Sequence, residues 1–174
     1  MSRATGDDIT ELILSQHEDF RRRFVDLWDL RPEGDVQRLD AAWRELANLL
    51  EVHASAEEEI LYPVLLKKGG DDAAEETLDA VGDHNEIRDA VRKAARHVPS
   101  SAAWWDAVLE CREANDEHLA EEERDVIPDF REHSDATLRG TLGEAWIEFD
   151  KQHAGARGIS GDDVDPDDFV KENS

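Results

Sequence analysis

The sequence predicts an all-α fold: an up-down-up-down four-helix bundle with a short C-terminal helix and a mobile acidic tail. Three observations carry this expectation. Apolar residues recur at helical spacing through four long segments. The breakers between those segments are short, which forces neighbouring helices to run antiparallel. One polar string also occurs twice: His53-Ala-Ser-Ala-Glu57-Glu58 runs on to Leu61-Tyr62-Pro63, and His118-Leu-Ala-Glu-Glu122-Glu123 runs on to Val126-Ile127-Pro128.

The first helical pattern runs from about Asp7 to Trp28, with Thr5 or Gly6 near its cap, and stops before Arg31-Pro32-Glu33-Gly34. His17 lies on its apolar face among Ile13, Phe20 and Phe24. The second runs from after Asp35 to about Lys67. Its seam of Leu39, Trp43, Leu46, Leu50, His53, Glu57, Ile60 and Val64 alternates by four and three. A carboxylate within such a seam is expensive unless it is paired, protonated or bound to metal. The third runs from about Asp72 to His97, with His84 among Val81, Ile87 and Val91. The fourth runs from after Ser100-Ser101 to about His133 and repeats the second at an offset of 65 residues. His53 then matches His118, Glu57 matches Glu122, Leu50 matches Asn115 and Pro63 matches Pro128. Each proline, lacking a backbone donor, is expected to kink or end its helix just beyond the motif.

The chain therefore reads as a two-helix unit, His then His-x-x-x-Glu, repeated once. Domain 1–155 is expected to hold this bundle and a fifth helix from Ala136 to about Lys151, packed through Leu138, Leu142, Trp146 and Phe149. Residues 156–174 lack periodicity and are expected to form a disordered acidic tail.

Composition narrows the function classes. Asp and Glu number 44 against 20 Lys and Arg, a formal charge of -24. Nucleic acid and anionic membrane surfaces are repelled by such a surface and are not expected partners. Only five of the basic residues are Lys, a balance that suits work in high salt. Cys111 is the sole cysteine, so no internal disulfide forms. The beginning of the chain lacks the apolar stretch of a signal peptide, and no run approaches the ~20 apolar residues of a membrane span. A soluble, cytoplasmic protein is expected.

Four residues is a little over one helical turn, so His53 with Glu57, and His118 with Glu122, share a face and can hold one ion. With His17 and His84 the inward set becomes four imidazoles and two carboxylates, donors suited to Fe, Mn, Zn or Co. A lone histidine on an apolar face is more often a satisfied core residue; a matched set of six is not. His97 and His133 stand at helix C-termini, where the dipole favours an imidazolium, and His153 reads as exposed. Glu58 and Glu123 are expected to face solvent or a neighbouring helix, and Tyr62 to pack. Asn115 reads equally as a hydrogen-bond partner of the site or as a buried polar contact. Arg21-Arg22-Arg23 reads as an outer face paired with local acids, and Trp43, Trp104, Trp105 and Trp146 as core or interface aromatics.

The ordered set His17, His53-x-x-x-Glu57, His84, His118-x-x-x-Glu122, with Glu-Glu-Glu-Ile-Leu-Tyr-Pro after His53, resembles the hemerythrin-like (HHE cation-binding) domains over about residues 9–133. The resemblance implies a four-helix bundle around a non-haem di-iron centre. Members of that family carry or sense oxygen, store or sense iron, or handle nitric oxide and peroxide. The chain departs from the oxygen carriers at Arg88, where they place a second histidine on the third helix. It departs again at Glu123, where they place an aspartate. The missing histidine argues against a reversible carrier.

The expectation is thus a centre of two iron ions, replaceable by Mn or Zn, with His17, His53 and Glu57 supplied by the first and second helices and His84, His118 and Glu122 by the third and fourth. Both glutamates bridge, and an oxo or hydroxo group completes the pair. A small oxidant (peroxide, nitric oxide or oxygen) is the expected partner, bound or reduced at the centre. An oxygen or iron carrier or sensor without turnover, and an inert metal-binding or interaction module, are the alternatives.

Overall fold

The computed structural model describes residues 7–174, and every element of regular structure among them is helical. Thr5 and Gly6 lie outside the described residues. The helices are α1 (Ile9–Leu30), α2 (Val36–Ala56), α3 (Tyr62–Lys68), α4 (Ala73–Ala94), α5 (Ala102–Glu121), α6 (Ile127–His133), α7 (Ala136–Gln152) and α8 (Pro166–Asn173). No helix is long and apolar enough to cross a membrane among the described residues.

Short polar side chains start most of these helices. Asp8, Asp35, Ser101, Asp135 and Asp165 each accept from a backbone N–H in the first turn of α1, α2, α5, α7 and α8. Each bond satisfies a donor that the helix itself leaves free. Gly34, at φ 71°, supplies the left-handed residue that turns the chain into α2. Gly143 allows a different economy: a Cβ there would lie 1.7 Å from the Asp7 carbonyl oxygen, so α7 can approach the start of α1 only without a side chain.

The two prolines do not end their helices. A π-helical turn, Glu57–Leu61, joins α2 to α3, and a second, Glu122–Val126, joins α5 to α6. Each begins at the motif glutamate. Tyr62 N–H donates to the Glu57 carbonyl and Ile127 N–H to the Glu122 carbonyl. The wider turn relieves the clash between a proline ring and the carbonyl four residues earlier, and the missing N–H falls where the ladder is already shifted.

Inserting one residue into the helical repeat also moves the core face. The expected seam positions Ile60 and Val64 are only partly buried, whereas Leu61, Tyr62 and Leu65 are fully buried. The second repeat obeys the same shift, burying Val126, Ile127 and Phe130.

Buried apolar residues form two clusters. One contains Ile9, Ile13, Leu61, Leu65, Val81, Val126 and Trp146; the other contains Phe20, Phe24, Leu50, Ile87, Trp104 and Cys111. Each of the four histidine-bearing segments passes from one cluster to the other across its histidine. The polar residues are thus enclosed by apolar packing on both sides.

The expected disordered tail is instead built into the fold. Val164 exchanges two bonds with Asn85, its N–H to Oδ1 at 3.0 Å and its carbonyl from Nδ2 at 2.7 Å. Arg92 reaches the Gly161 carbonyl and Asp163. Ile159, Val164 and Phe169 pack on the first cluster. Three sparse apolar anchors among acids leave no helical period to read, yet they suffice to tie residues 156–174 to α4. The segment also walls a cavity of about 360 Å³ that includes Leu50, His84, Ile87 and Arg88.

Candidate metal centre

His17, His53, Glu57, His84, His118 and Glu122 converge, each at most 4% exposed. They form two donor groups that share one residue. His17, His53, Glu57 and Glu122 make the first; Glu57, His84 and His118 make the second. Glu57 faces both. Its Oε1 lies 3.0 Å from His53 Nε2, and its Oε2 lies 3.0 Å from His84 Nε2 and 3.7 Å from His118 Nε2. Glu122 Oε2 lies 3.4 Å from His17 Nε2 and 3.8 Å from His118 Nε2. The first group thus draws on three of the four helical segments and contains both carboxylates.

The far side of each imidazole explains this orientation. His17 Nδ1 lies 3.0 Å from Glu123 Oε1, His53 Nδ1 2.7 Å from Gln16 Oε1, and His84 Nδ1 2.8 Å from Glu58 Oε1. His118 Nδ1 lies 3.4 Å from Asp83 Oδ2. For His17, His53 and His84 the facing oxygen accepts, which places the ring proton on Nδ1 and turns the Nε2 lone pair inward; His118 Nδ1 faces Asp83 at ion-pair distance without a hydrogen bond.

The glutamates that follow the motif carboxylates thus turn to neighbouring helices, one of the two expected placements. Glu58 of the second helical segment holds His84 of the third; Glu123 of the fourth holds His17 of the first. Arginines four residues after His17 and His84 hold those glutamates in turn. Arg21 Nη2 donates to Glu123 Oε1 at 2.8 Å, and Arg88 donates to both oxygens of Glu58 at 3.1 Å while also pairing with Glu51. Arg88, 4% exposed, fills the place of the oxygen carriers' additional histidine.

Tyr62 completes the enclosure. Its hydroxyl lies 2.9 Å from Glu122 Oε1 and 3.3 Å from Glu57 Oε2. Regular α-helical phasing, at roughly 100° per residue, puts Tyr62 on the opposite face from His53. The π turn removes one residue from that count and swings the phenol onto the glutamate face. Trp146 of α7 packs edge-on against His53 with ring centroids 5.4 Å apart. Asn115 is buried, and its Nδ2 has no hydrogen-bond partner.

The electrostatics follow from burial and proximity. Burial opposes ionisation of Glu57, but His53, His118 and His84 outweigh it and hold the carboxyl well below its ordinary range. Burial likewise opposes protonation of His118, yet Asp83, Glu57 and Glu122 raise its pKa well above the usual 6.5. Burial and the charges of Glu122 and Glu57 push the Tyr62 phenol well above 10, so it stays a neutral donor.

Among the described residues eight buried side-chain atoms have no hydrogen-bond partner, and four of the eight are His17 Nε2, His53 Nε2, Glu57 Oε1 and Glu122 Oε2. These four belong to the four donor residues of the first group. Each orphaned buried polar atom costs about 1–3 kcal/mol, and a cation coordinated between them removes that cost. The donor set fits a metal centre.

The family model for the hemerythrin HHE cation-binding domain matches residues 8–130. The chain belongs to this family. Comparisons with curated proteins and with solved structures return no match. In this HHE domain the matched span ends within α6, so α7, which supplies Trp146, and the strap through α8 lie beyond it.

Proposed function

We propose that this HHE domain holds two iron ions in an up-down-up-down bundle and binds or reduces a small oxidant there. The reading rests chiefly on Glu57, whose Oε1 faces His53 while its Oε2 faces His84 and His118. A carboxylate so placed serves two ions at once. His17, His53, Glu57 and Glu122 would hold one ion; His84, His118 and Glu57 would hold the other, with Glu122 Oε2 within reach of both. Iron supplies one-electron chemistry and open coordination positions; manganese and zinc suit the same donors.

The chain's own groups set the conditions. Glu58, Glu123, Gln16 and Asp83 orient the imidazoles, and the apolar clusters exclude bulk water. Tyr62 keeps the proton on its hydroxyl and holds Glu122 Oε1 in place through it. The cavity beside His84 offers a route for peroxide, nitric oxide or oxygen. Arg88, committed to Glu51 and Glu58, favours oxidant handling over reversible oxygen carriage.

The test is to load the full chain with ferrous ion anaerobically and follow peroxide and nitric oxide separately over many equivalents. Catalytic consumption of either supports the reading. Stoichiometric, fully reversible binding makes the protein a carrier or sensor, and no reaction with any oxidant makes the centre an inert metal site.

A further inference from the structure

The duplicated site is not symmetric in what backs it, and the difference has a direction. Gln16 precedes His17 as Asp83 precedes His84. Each contacts the histidine of the following motif helix: Gln16 Oε1 lies 2.7 Å from His53 Nδ1, and Asp83 Oδ2 lies 3.4 Å from His118 Nδ1. One repeat therefore uses a neutral amide where the other uses a carboxylate. Gln16 is held in its role by Asp150 of α7, which accepts from its Nε2 at 2.8 Å.

His84 and His118 both face carboxylates, Glu58 hydrogen-bonded at 2.8 Å and Asp83 at the longer ion-pair distance of 3.4 Å. His17 is backed by Glu123, but His53 only by an amide. A carboxylate on the outer nitrogen makes an imidazole the stronger donor, and loss of such a partner typically weakens metal binding about 10–100-fold.

The surroundings act in the same sense. A groove of about 370 Å³ is lined by Glu76, Asp79, Asp83, Glu122 and Asp125, with Arg124 the one cation among its lining residues, and Asp83 and Glu122 both face His118. The other position is covered by α7, with Trp146 against His53. A convergent array of carboxylates raises the local concentration of cations. Donor number alone favours the first group, four residues to three. Glu122 Oε2, however, stands 3.8 Å from His118 Nε2 and is within reach of the second.

We infer that the two metal positions are inequivalent and that the one at His84 and His118 fills first, with Asp83 as the positioning residue that sets the order. The inference rests on the two-metal reading above and adds the sequence of loading to it.

Calorimetric titration of the metal-free full chain with Co(II), with the visible cobalt spectrum recorded at each point, tests both readings separately. Two resolved binding steps are expected. Asp83→Asn weakens the tighter step about 10–100-fold and leaves the other nearly unchanged. His118→Gln removes the tighter step, and His53→Gln removes the weaker one. The double variant Gln16→Glu, Asp150→Asn keeps a bonded pair and the net charge while placing a carboxylate behind His53, and it tightens the weaker step. Because this effect is a gain, a folding defect cannot imitate it. Loss of the tighter step in His53→Gln, or weakening of only the looser step in Asp83→Asn, overturns the order. Absence of any cobalt binding by the wild-type chain overturns the metal reading itself.

Discussion

Tyr62 donates its hydroxyl proton to Glu122 across 2.9 Å, linking the π turn of the first repeat to the motif glutamate of the second. The second repeat has Ile127 at the matching position, so the contact is made once. Replacing Tyr62 by Phe removes the donor while leaving the ring. Glu122 Oε1 then loses a buried partner, at a cost of about 1–3 kcal/mol in the metal-free protein. A metal ion on Glu122 offsets part of that cost. Urea unfolding of Tyr62→Phe is expected to show the larger loss without metal than with it. An equal loss in both states would place the hydroxyl outside the metal's influence.

Arg88 is a buried cation with two carboxylate partners, Glu51 and Glu58. Arg88→Ala leaves both acids without their counter-charge, and breaking a buried pair in this way costs about 3–5 kcal/mol. Glu58 also loses the contact that fixes it against His84, so metal affinity falls with stability. Arg88→Lys restores charge but not the forked geometry that serves two carboxylates. It is expected to recover stability more fully than metal affinity, as read by thermal melts and metal titration of the same samples.

Much of the centre is legible in the chain because its residues are out of place. A histidine and a glutamate in the apolar seam of the second helical pattern, matched in the fourth, have few explanations besides metal. His17 and His84 follow because the repeat demands partners. The second layer is less legible. Glu58 and Glu123 fall off the seam under regular helical phasing and reach the site only through contacts between helices. Tyr62 is hidden by the π turn, whose one-residue shift also moves the core from Ile60 and Val64 to Leu61 and Leu65. Gln16 and Asp83 precede histidines in the chain but contact different ones in space. Spacing within one helix carries no trace of that pairing.

The segment after α7 gives a direct test of order. Truncation after Ala156 removes Val164 and Phe169 and leaves Asn85 without its two backbone partners. Partly buried apolar anchors of this kind contribute about 1–2 kcal/mol in sum. The truncated chain is expected to keep its helicity, melt at a lower temperature and exchange amide hydrogens faster in α4. Unchanged exchange in α4 would mean that the strap does not pack there in solution.

Glu76 supplies a pH dependence away from the donor residues. Burial, with Asp129, Asp125 and Asp72 nearby, raises its pKa from 4.5 to about 6. A carboxyl with a raised folded pKa holds its proton more tightly folded than unfolded. Its ionisation therefore costs stability as pH rises from 4.5 through about 6, and the cost is constant above. Glu76→Gln removes the charge. The variant is expected to melt above the wild type at pH 8 and together with it near pH 4. A difference independent of pH would remove the electrostatic explanation.

The central claim is that one carboxylate, Glu57, serves two ions. Metal content of the full chain after iron loading, measured for the wild type, His17→Ala and Glu57→Ala, tests it most directly. The account predicts about two irons per wild-type chain, about one in His17→Ala, and loss from both positions in Glu57→Ala. Two tightly held irons in Glu57→Ala, or a single metal in the wild type, would contradict it.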